Sequence, residues 1–276
     1  MSLQFRNLRK QYGANVATDN VSTDFAPGMI HGIIGPNGAG KSTLINLTAG
    51  SYTLTDGQIL LDGQRLDGLK KHKISNAGVA RTYQNIRLFD QMTALENLEV
   101  CFYAAESGRS WREILWPPFE AAQNARRRAR AMEMLRLFEL QRFAEVEAGS
   151  LPYGRQRMLE IARALVMNPR VLLLDEPAAG LNHHETAELT ERLDALRDPS
   201  RIIIVVEHDM DLVMTLCDRI VVMHHGQLLF QGTPAEVQAS AEVQSAYLGT
   251  ADDIDDIKAA AESRRAKLGL RPRRRS

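Results

Sequence analysis

Cysteine is scarce in this chain: there are two, Cys101 and Cys217, in 276 residues. They are too far apart for a metal-type spacing, so buried free thiols in a reducing compartment are expected. Long apolar runs are also missing. The longest aliphatic stretch is 202–206, whereas a spanning helix needs ~20 apolar residues, so the chain is not expected to cross a membrane by itself. Residues 1–20 have no apolar h-region and carry Arg6, Arg9, Lys10 and Asp19, so no secretion signal is expected there. A charge excess is lacking too. Lys+Arg and Asp+Glu are both 34, for a net charge of zero, while proteins that live by binding nucleic-acid backbone usually carry a basic surplus. No nucleic-acid partner is expected. Internal repeats are absent, and no Asn-Lys-x-Asp guanine-reading motif appears.

What is present is ordinary globular composition, 44% hydrophobic and 25% charged, which excludes wholesale disorder. The length nears the upper size of a single hydrophobic core, so one large, lobed domain is expected. The first third alternates strand and turn signals. Residues 3–5 and 21–25 alternate with period two, Pro27-Gly28 marks a turn, and 29–34 reads as a buried strand before a glycine-rich loop and an apolar helix at 42–47. Residues 59–63 read as a further strand and turn. From 93 to 140 the pattern is helical, interrupted at 111–119, with an arginine-rich run at 126–136 in which Met132, Leu135 and Phe138 keep helical spacing. Strand and helix alternate again from Val171: strands at 171–174 and 202–206, helices at 185–196 and 212–217, and a strand pair of 220–223 with 227–230. Continuous Val/Ile/Leu strands joined by helices imply an α/β fold whose parallel sheet is covered on both faces. Residues 250–276 are acidic and then basic, and read as a charged, flexible tail.

Chemistry enters at Gly35-Pro36-Asn37-Gly38-Ala39-Gly40-Lys41-Ser42-Thr43, a complete P-loop pattern between a strand and a helix. The glycines let backbone N–H groups converge on a triphosphate at a helix N-terminus, where the dipole favours negative charge. Lys41 is spaced to reach the β- and γ-phosphates and Ser42 to ligate Mg²⁺. The second element is Leu172-Leu173-Leu174-Asp175-Glu176-Pro177, an apolar strand delivering two acids at its end. Alone it would read as a strand running into a solvated acidic turn. Downstream of a P-loop, it puts Asp175 by the Mg²⁺ and Glu176 beside an attacking water.

With both elements in place, the chain resembles the ATP-binding subunits of ABC transporters from Leu3 to about Gly249. Tyr12 stands where that family stacks an aromatic on adenine, and Gln84, in Arg81-Thr82-Tyr83-Gln84, matches its Q-loop glutamine. Leu151-Pro152-Tyr153-Gly154-Arg155-Gln156-Arg157 falls where the family signature belongs, Ala179-Gly180-Leu181-Asn182 looks like its D-loop, and His208 like its switch histidine. The resemblance implies a P-loop NTPase of the ABC ATPase fold: a RecA-like core, an antiparallel β edge and an inserted α-helical subdomain. The ATPase domain would span 1–249, with the helical subdomain at about 85–165.

It further implies ATP and Mg²⁺ as cofactors, the metal held by Ser42, Asp175 and Gln84, in part through water. Glu176 would act on the water, Lys41 and His208 would stabilise the γ-phosphate, and Gln84 would link the metal to the helical lobe. Gly154 would offer its backbone N–H to the ATP of a second ATPase subunit, either a different chain or another copy. Transmembrane permease subunits, received at 85–98, and indirectly an external solute-binding protein complete the implied partners. The implied place is peripheral, on the cytoplasmic face of the inner membrane.

The tyrosine within the signature, residues 176–182, Glu207-His208-Asp209-Met210-Asp211 and residues 80–89 resemble branched-chain amino acid importers of the Liv type. Importers of urea and short-chain amides resemble the same subfamily; a non-transport ABC ATPase and a non-catalytic nucleotide-binding partner, the latter disfavoured by the presence of Glu176 and His208, are the remaining alternatives. One residue departs from the wider family: Pro152 stands where a serine is usual. Elsewhere the bland readings hold. His183-His184 and His224-His225 read as solvated loops whose adjacent rings point apart. The 126–136 arginines read as a solvated helix face, and Trp111, Trp116 and Phe119 as packing within an insert.

Overall fold

The computed structural model describes residues 2–105, 117–248 and 268–269. The tryptophan-bearing stretch around Trp111 and Trp116 and nearly all of the 250–276 tail lie outside the described residues. Strands β1 (Leu3–Tyr12) and β2 (Asn15–Phe25) form a hairpin, and β3 (Ile30–Ile34) leads to helix α1 (Lys41–Thr48). Strands β4 (Asp56–Leu61) and β5 (Gln64–Arg65), helix α2 (Lys71–Asn76) and β6 (Val79–Arg81) follow. Helices α3 (Ala94–Ala105), α4 (Pro117–Leu137) and α5 (Tyr153–Leu165) come next. Then come β7 (Val171–Asp175), α6 (His183–Ala195), β8 (Ile202–Val206), α7 (Met210–Leu216), β9 (Arg219–His224), β10 (Gln227–Gly232) and α8 (Pro234–Ala239).

Two compact units result, one from Met1–Gln84 with the chain from Arg170 onward, the other from Asn85–Pro169. The first unit holds two sheets. One is antiparallel, in the order β2-β1-β4-β5; the other runs β10-β9-β3-β8-β7-β6. In the second sheet all neighbours are parallel except β10, which pairs antiparallel with β9. Strands β3, β7 and β8 are buried at every residue, as their largely aliphatic sequence suits strands covered on both faces. β1 and β2 instead alternate buried and open positions. Leu3, Phe5, Val21 and Phe25 from the antiparallel sheet share one apolar core with Ile33, Leu173, Ile204 and Val206 from the parallel sheet and with Leu44 and Ile45 from α1.

In the second unit α4 turns Arg127, Ala131 and Leu135 inward at four-residue spacing, one face of a helix. Two readings of this region change. Arg127 is buried, its guanidinium donating to Asn124 and Gln123, so the arginine run is not wholly solvated; Arg126, Arg128, Arg130 and Arg136 are exposed. Of the expected interruption at 111–119, residues 111–116 lie outside the described residues, while Pro117 and Pro118 already open α4, since proline suits a first helical turn.

Other local expectations also need correction. Cys217 is buried, but Cys101 is only half-buried. His183 and His184 form the first turn of α6 rather than a loop. His224 and His225 do not point apart: their rings lie 4.1 Å from each other, because His225 adopts a left-handed φ of 48° and breaks strand alternation.

His31, in the middle of β3, is buried and donates its Nε2–H to the Ala26 carbonyl at 2.9 Å. Burial pulls its pKa down from 6.5 to about 4, outweighing the raising effects of the Ala26 bond and Asp218. The unfolded chain therefore binds this proton more readily between those two values, so stability is full above the unfolded pKa and falls as pH drops toward the folded one. We expect His31 to account for about 3 kcal/mol of acid destabilisation. Urea denaturation across pH should show that slope in the wild type and not in His31→Gln; parallel curves would remove the assignment.

Candidate functional site

The site is built where β3 ends. Gly35 has φ 150°, and a Cβ there would meet the Met223 carbonyl at 2.2 Å. Gly40 has φ 96° and would put a Cβ 2.5 Å from the Ala17 carbonyl on β2. Gly40 is also the N-cap of α1 and provides no side-chain cap, and no acid occupies the first turn. The first N–H groups of α1 are thus left for an anion rather than for the protein's own side chains. Gly38, at φ 82°, faces open space. Lys41 is buried, and its Nζ donates to the carbonyls of Gly35 at 2.7 Å and Pro36 at 2.9 Å. Burial lowers its pKa, and the charges of Glu176 and Asp175 act to raise it.

Those two carboxylates arrive on β7. Asp175 forms a buried ion pair with Arg81 at 2.9 Å, and its N–H donates to the Thr82 hydroxyl at 3.4 Å. Burial raises the Asp175 pKa, while Arg81 and Lys41 pull it back. Arg81 also donates to Asn46 of α1 at 2.7 Å, so one guanidinium ties β6, β7 and α1. Glu176 takes a left-handed φ of 47°. Its N–H donates to the Val206 carbonyl at 2.8 Å, and its Oε2 accepts from Gln84 Nε2 at 2.8 Å.

His208 follows β8, with its ring exposed. The residue before it, Glu207, is buried and accepts from the N–H groups of Ala178, His208 and Asp209. Burial raises its pKa, and those three bonds oppose the rise.

Lys41, Asp175, Glu176 and Gln84 are therefore brought together, and His208 sits one strand away from the two acids. Tyr12 stands outside this group. Its ring meets Tyr52 edge-on at 5.8 Å and lies 4.6 Å from Lys10 Nζ. Gly154 belongs to the other unit, in the first turn of α5, whose N-cap is Pro152. Behind it Arg157 is fully buried and pairs with Glu160 at 2.9 Å.

The oxygen donors fit Mg²⁺. The Ser42 hydroxyl is exposed at the start of α1 and the Asp175 carboxylate neighbours Lys41. A cation held by one carboxylate and a hydroxyl would take its remaining ligands from substrate phosphates and water.

Sequence reasoning missed Arg81, Tyr52 and Glu207. Arg81 had one legible signal, a charge at the end of a strand that neighbours the acid-bearing strand; Tyr52 had none. Glu207 follows five buried aliphatic residues, and that position alone predicts an acid still inside the sheet layer.

The profile of the ABC transporter family matches residues 18–179, and that of the branched-chain amino acid ATP-binding cassette transporter matches 227–253. The high-affinity branched-chain amino acid transport ATP-binding protein BraF of Pseudomonas aeruginosa is 42% identical over 254 residues, covering 90% of this chain and 98% of that one. LivG of Escherichia coli, described in the same words, is 43% identical over 253 residues with the same coverage. Among solved structures, the ADP conformation of MJ1267, an ATP-binding cassette of an ABC transporter, superposes with a TM-score of 0.77 at 28% identity, covering 91% of this chain and all of that one. Dimeric MJ0796, a bacterial ABC transporter cassette, gives 0.70 at 27% identity, over 84% and 98%.

The loop geometry ranks its glycines. Gly40→Ala meets both a left-handed φ and a backbone oxygen, and should weaken binding of a fluorescent ATP analogue by roughly tenfold or more. Gly38→Ala meets only the φ and should cost about fivefold. Equal losses would contradict the Gly40 clash.

Proposed function

This chain belongs to the ABC transporter family, and on that footing we propose that it is the ATP-hydrolysing subunit of an importer of branched-chain amino acids. The observation that carries the chemistry is the approach of two carboxylates, Asp175 and Glu176, to the P-loop lysine. The solute rests on the relatives, which match almost from end to end.

In this reading residues 1–249 form the ATPase domain, with 85–165 as its helical subdomain and 250–276 as a charged tail. The loop 35–43 and the N-terminus of α1 take the phosphates, and Tyr12 stacks on the adenine. Lys41 turns from the Gly35 and Pro36 carbonyls to the β- and γ-phosphates. Glu176 accepts a proton from the attacking water, giving ADP and inorganic phosphate. His208 donates to the departing phosphoryl oxygens, and Gln84, bonded to Glu176, senses the same site. Mg²⁺, when bound through Ser42, Asp175 and Gln84, supplies charge neutralisation to the phosphates. Catalysis of this kind is mainly positioning and electrostatics.

ABC ATPase cassettes of transporters work as dimers with transmembrane permease subunits. For this chain we infer a second, different ATPase subunit, whose nucleotide meets Gly154, a permease contact at 85–98, and an external solute-binding protein acting through the permease. From the likeness to transport ATP-binding proteins we propose a peripheral place on the cytoplasmic face of the inner membrane; no helix among the described residues is long and apolar enough to cross a membrane.

Glu176→Gln keeps shape but loses the base, and should slow ATP hydrolysis by ~10²–10⁴-fold while leaving ATP bound in a closed dimer on gel filtration. Near-normal turnover would remove Glu176 from this role.

Pro152 generates a separate expectation. It has neither hydroxyl nor N–H to offer the partner's γ-phosphate, and loss of one such donor can cost ~2.7–4 kcal/mol of transition-state stabilisation. The nucleotide completed by Pro152 should then turn over slowly. In the assembled transporter Glu176→Gln should nearly abolish hydrolysis, and the matching change in the partner should do less. Equal losses would exclude this asymmetry.

A further inference from the structure

Glu207 has no part in the chemistry just described, yet its carboxylate is buried between two functional loops. Each oxygen serves one loop. Oε1 accepts from the N–H of Ala178, two residues beyond Glu176, at 2.7 Å. Oε2 accepts from the N–H groups of His208 at 3.1 Å and Asp209 at 3.5 Å. The Glu207 side chain is 0% exposed and the His208 side chain 62% exposed, so the imidazole is not fixed by packing around its ring. His208 Nδ1 lies 3.8 Å from Oε2, beyond hydrogen-bond range. Next to the carboxylate the two loops border a cavity of about 310 Å³, so across that space they are not held by interlocked side chains. What fixes the imidazole is its own backbone, which is anchored on the Glu207 carboxylate and, through Asp209, on the first turn of α7; only the first of these also holds the loop after Glu176.

We propose that Glu207 is a positioning residue for ATP hydrolysis: its carboxylate locks the loop after Glu176 and the loop bearing His208 into one arrangement, so that base and switch histidine address the same γ-phosphate. The inference rests on the roles given above to Glu176 and His208. Glu207→Gln is the informative change. An amide presents one oxygen and one NH₂, so whichever way it turns, the N–H donors of one loop face another donor.

The test uses the full chain in its assembled transporter. Glu207→Gln should lower kcat roughly tenfold or more with the KM for ATP within about twofold, because none of its bonds reaches the P-loop. Glu207→Asp keeps both oxygens but shortens the reach, and should restore part of the rate. In a His208→Ala background Glu207→Gln should cost much less than it does alone, since its effect runs through that histidine. Amide exchange on the full chain gives a second readout, needed where the His208→Ala rate is too low to resolve further loss or where kcat falls for another reason. Glu207→Gln should speed exchange in both 177–182 and 207–209. Should Glu207→Gln fail to fold, as judged by loss of ATP binding, Glu207→Asp carries the same comparisons. A wild-type kcat, a raised KM with unchanged kcat, fully additive losses with His208→Ala, or unchanged exchange in either loop would each overturn the inference while leaving His208 in place. A wild-type rate for His208→Ala would overturn the histidine's role, and the inference with it.

Discussion

The register of three parallel strands underlies everything the site does. Ile33 of β3 lies opposite Val206 of β8, and Val206 lies opposite Asp175 of β7. Beyond that row the three strands release the P-loop, Glu207-His208 and Glu176. Groups more than a hundred residues apart in sequence thus leave the sheet along one edge, the carboxyl ends of the strands, where open α/β sheets bind ligands. A slip of one residue would turn each side chain to the opposite face. Burial of every residue in these strands gives such a slip no solvent face to accept the misplaced groups.

Charge is arranged around that edge with little margin. Lys41 and Asp175 are both buried, and burial alone would push each toward its neutral form: the lysine's pKa falls and the aspartate's rises. Each group opposes the other's shift, so the pair is more readily ionised together than either would be alone. Arg81 adds a second cation on Asp175 and ties it to Asn46 on the P-loop helix. A bare pair of acids would repel a triphosphate. With Arg81 and Lys41 in place the acids are countered before phosphate arrives, and the uncapped start of α1 adds the favourable end of a helix dipole.

The legible parts of this architecture were those whose signal is local. The P-loop needs a strand, glycines and a helix in succession, and all of these are contiguous. Strands β3, β7 and β8 stand out because burial on both faces leaves them almost wholly aliphatic, with His31 and Asp175 the polar exceptions. The hairpin was legible only in fragments, as 3–5 and 21–25, because Arg6, Asn7, Arg9 and Lys10 look like loop. In the structure β1 continues through them to Tyr12, with shifts of register against β2 that keep Leu8 and Val21 inward. Long-range pairings left little trace. Arg81 with Asp175 and Glu207 with Ala178 join segments that only the sheet brings together, and the short motifs in which Arg81 and Glu207 stand say nothing of those partners. The backbone of His225 was equally hidden, since a positive φ at a histidine follows from the β9–β10 turn and not from residue type.

Glu176 shows how the sheet edge turns two adjacent acids to one purpose. In a regular strand Asp175 and Glu176 would point to opposite faces, and only one could act on Lys41. Both act on it. The strand ends at Asp175, and Glu176 steps into the left-handed region at φ 47°, a conformation unfavourable by roughly 1–2 kcal/mol for a residue with a Cβ. Three hydrogen bonds hold it there: its N–H to Val206, the Ala179 N–H to its carbonyl, and Gln84 to its carboxylate. The first depends on the β7–β8 register and the second on the turn that Glu207 anchors through Ala178. The position of the acid beside the P-loop lysine is therefore a property of the sheet and its loops together, not of the Asp-Glu pair alone.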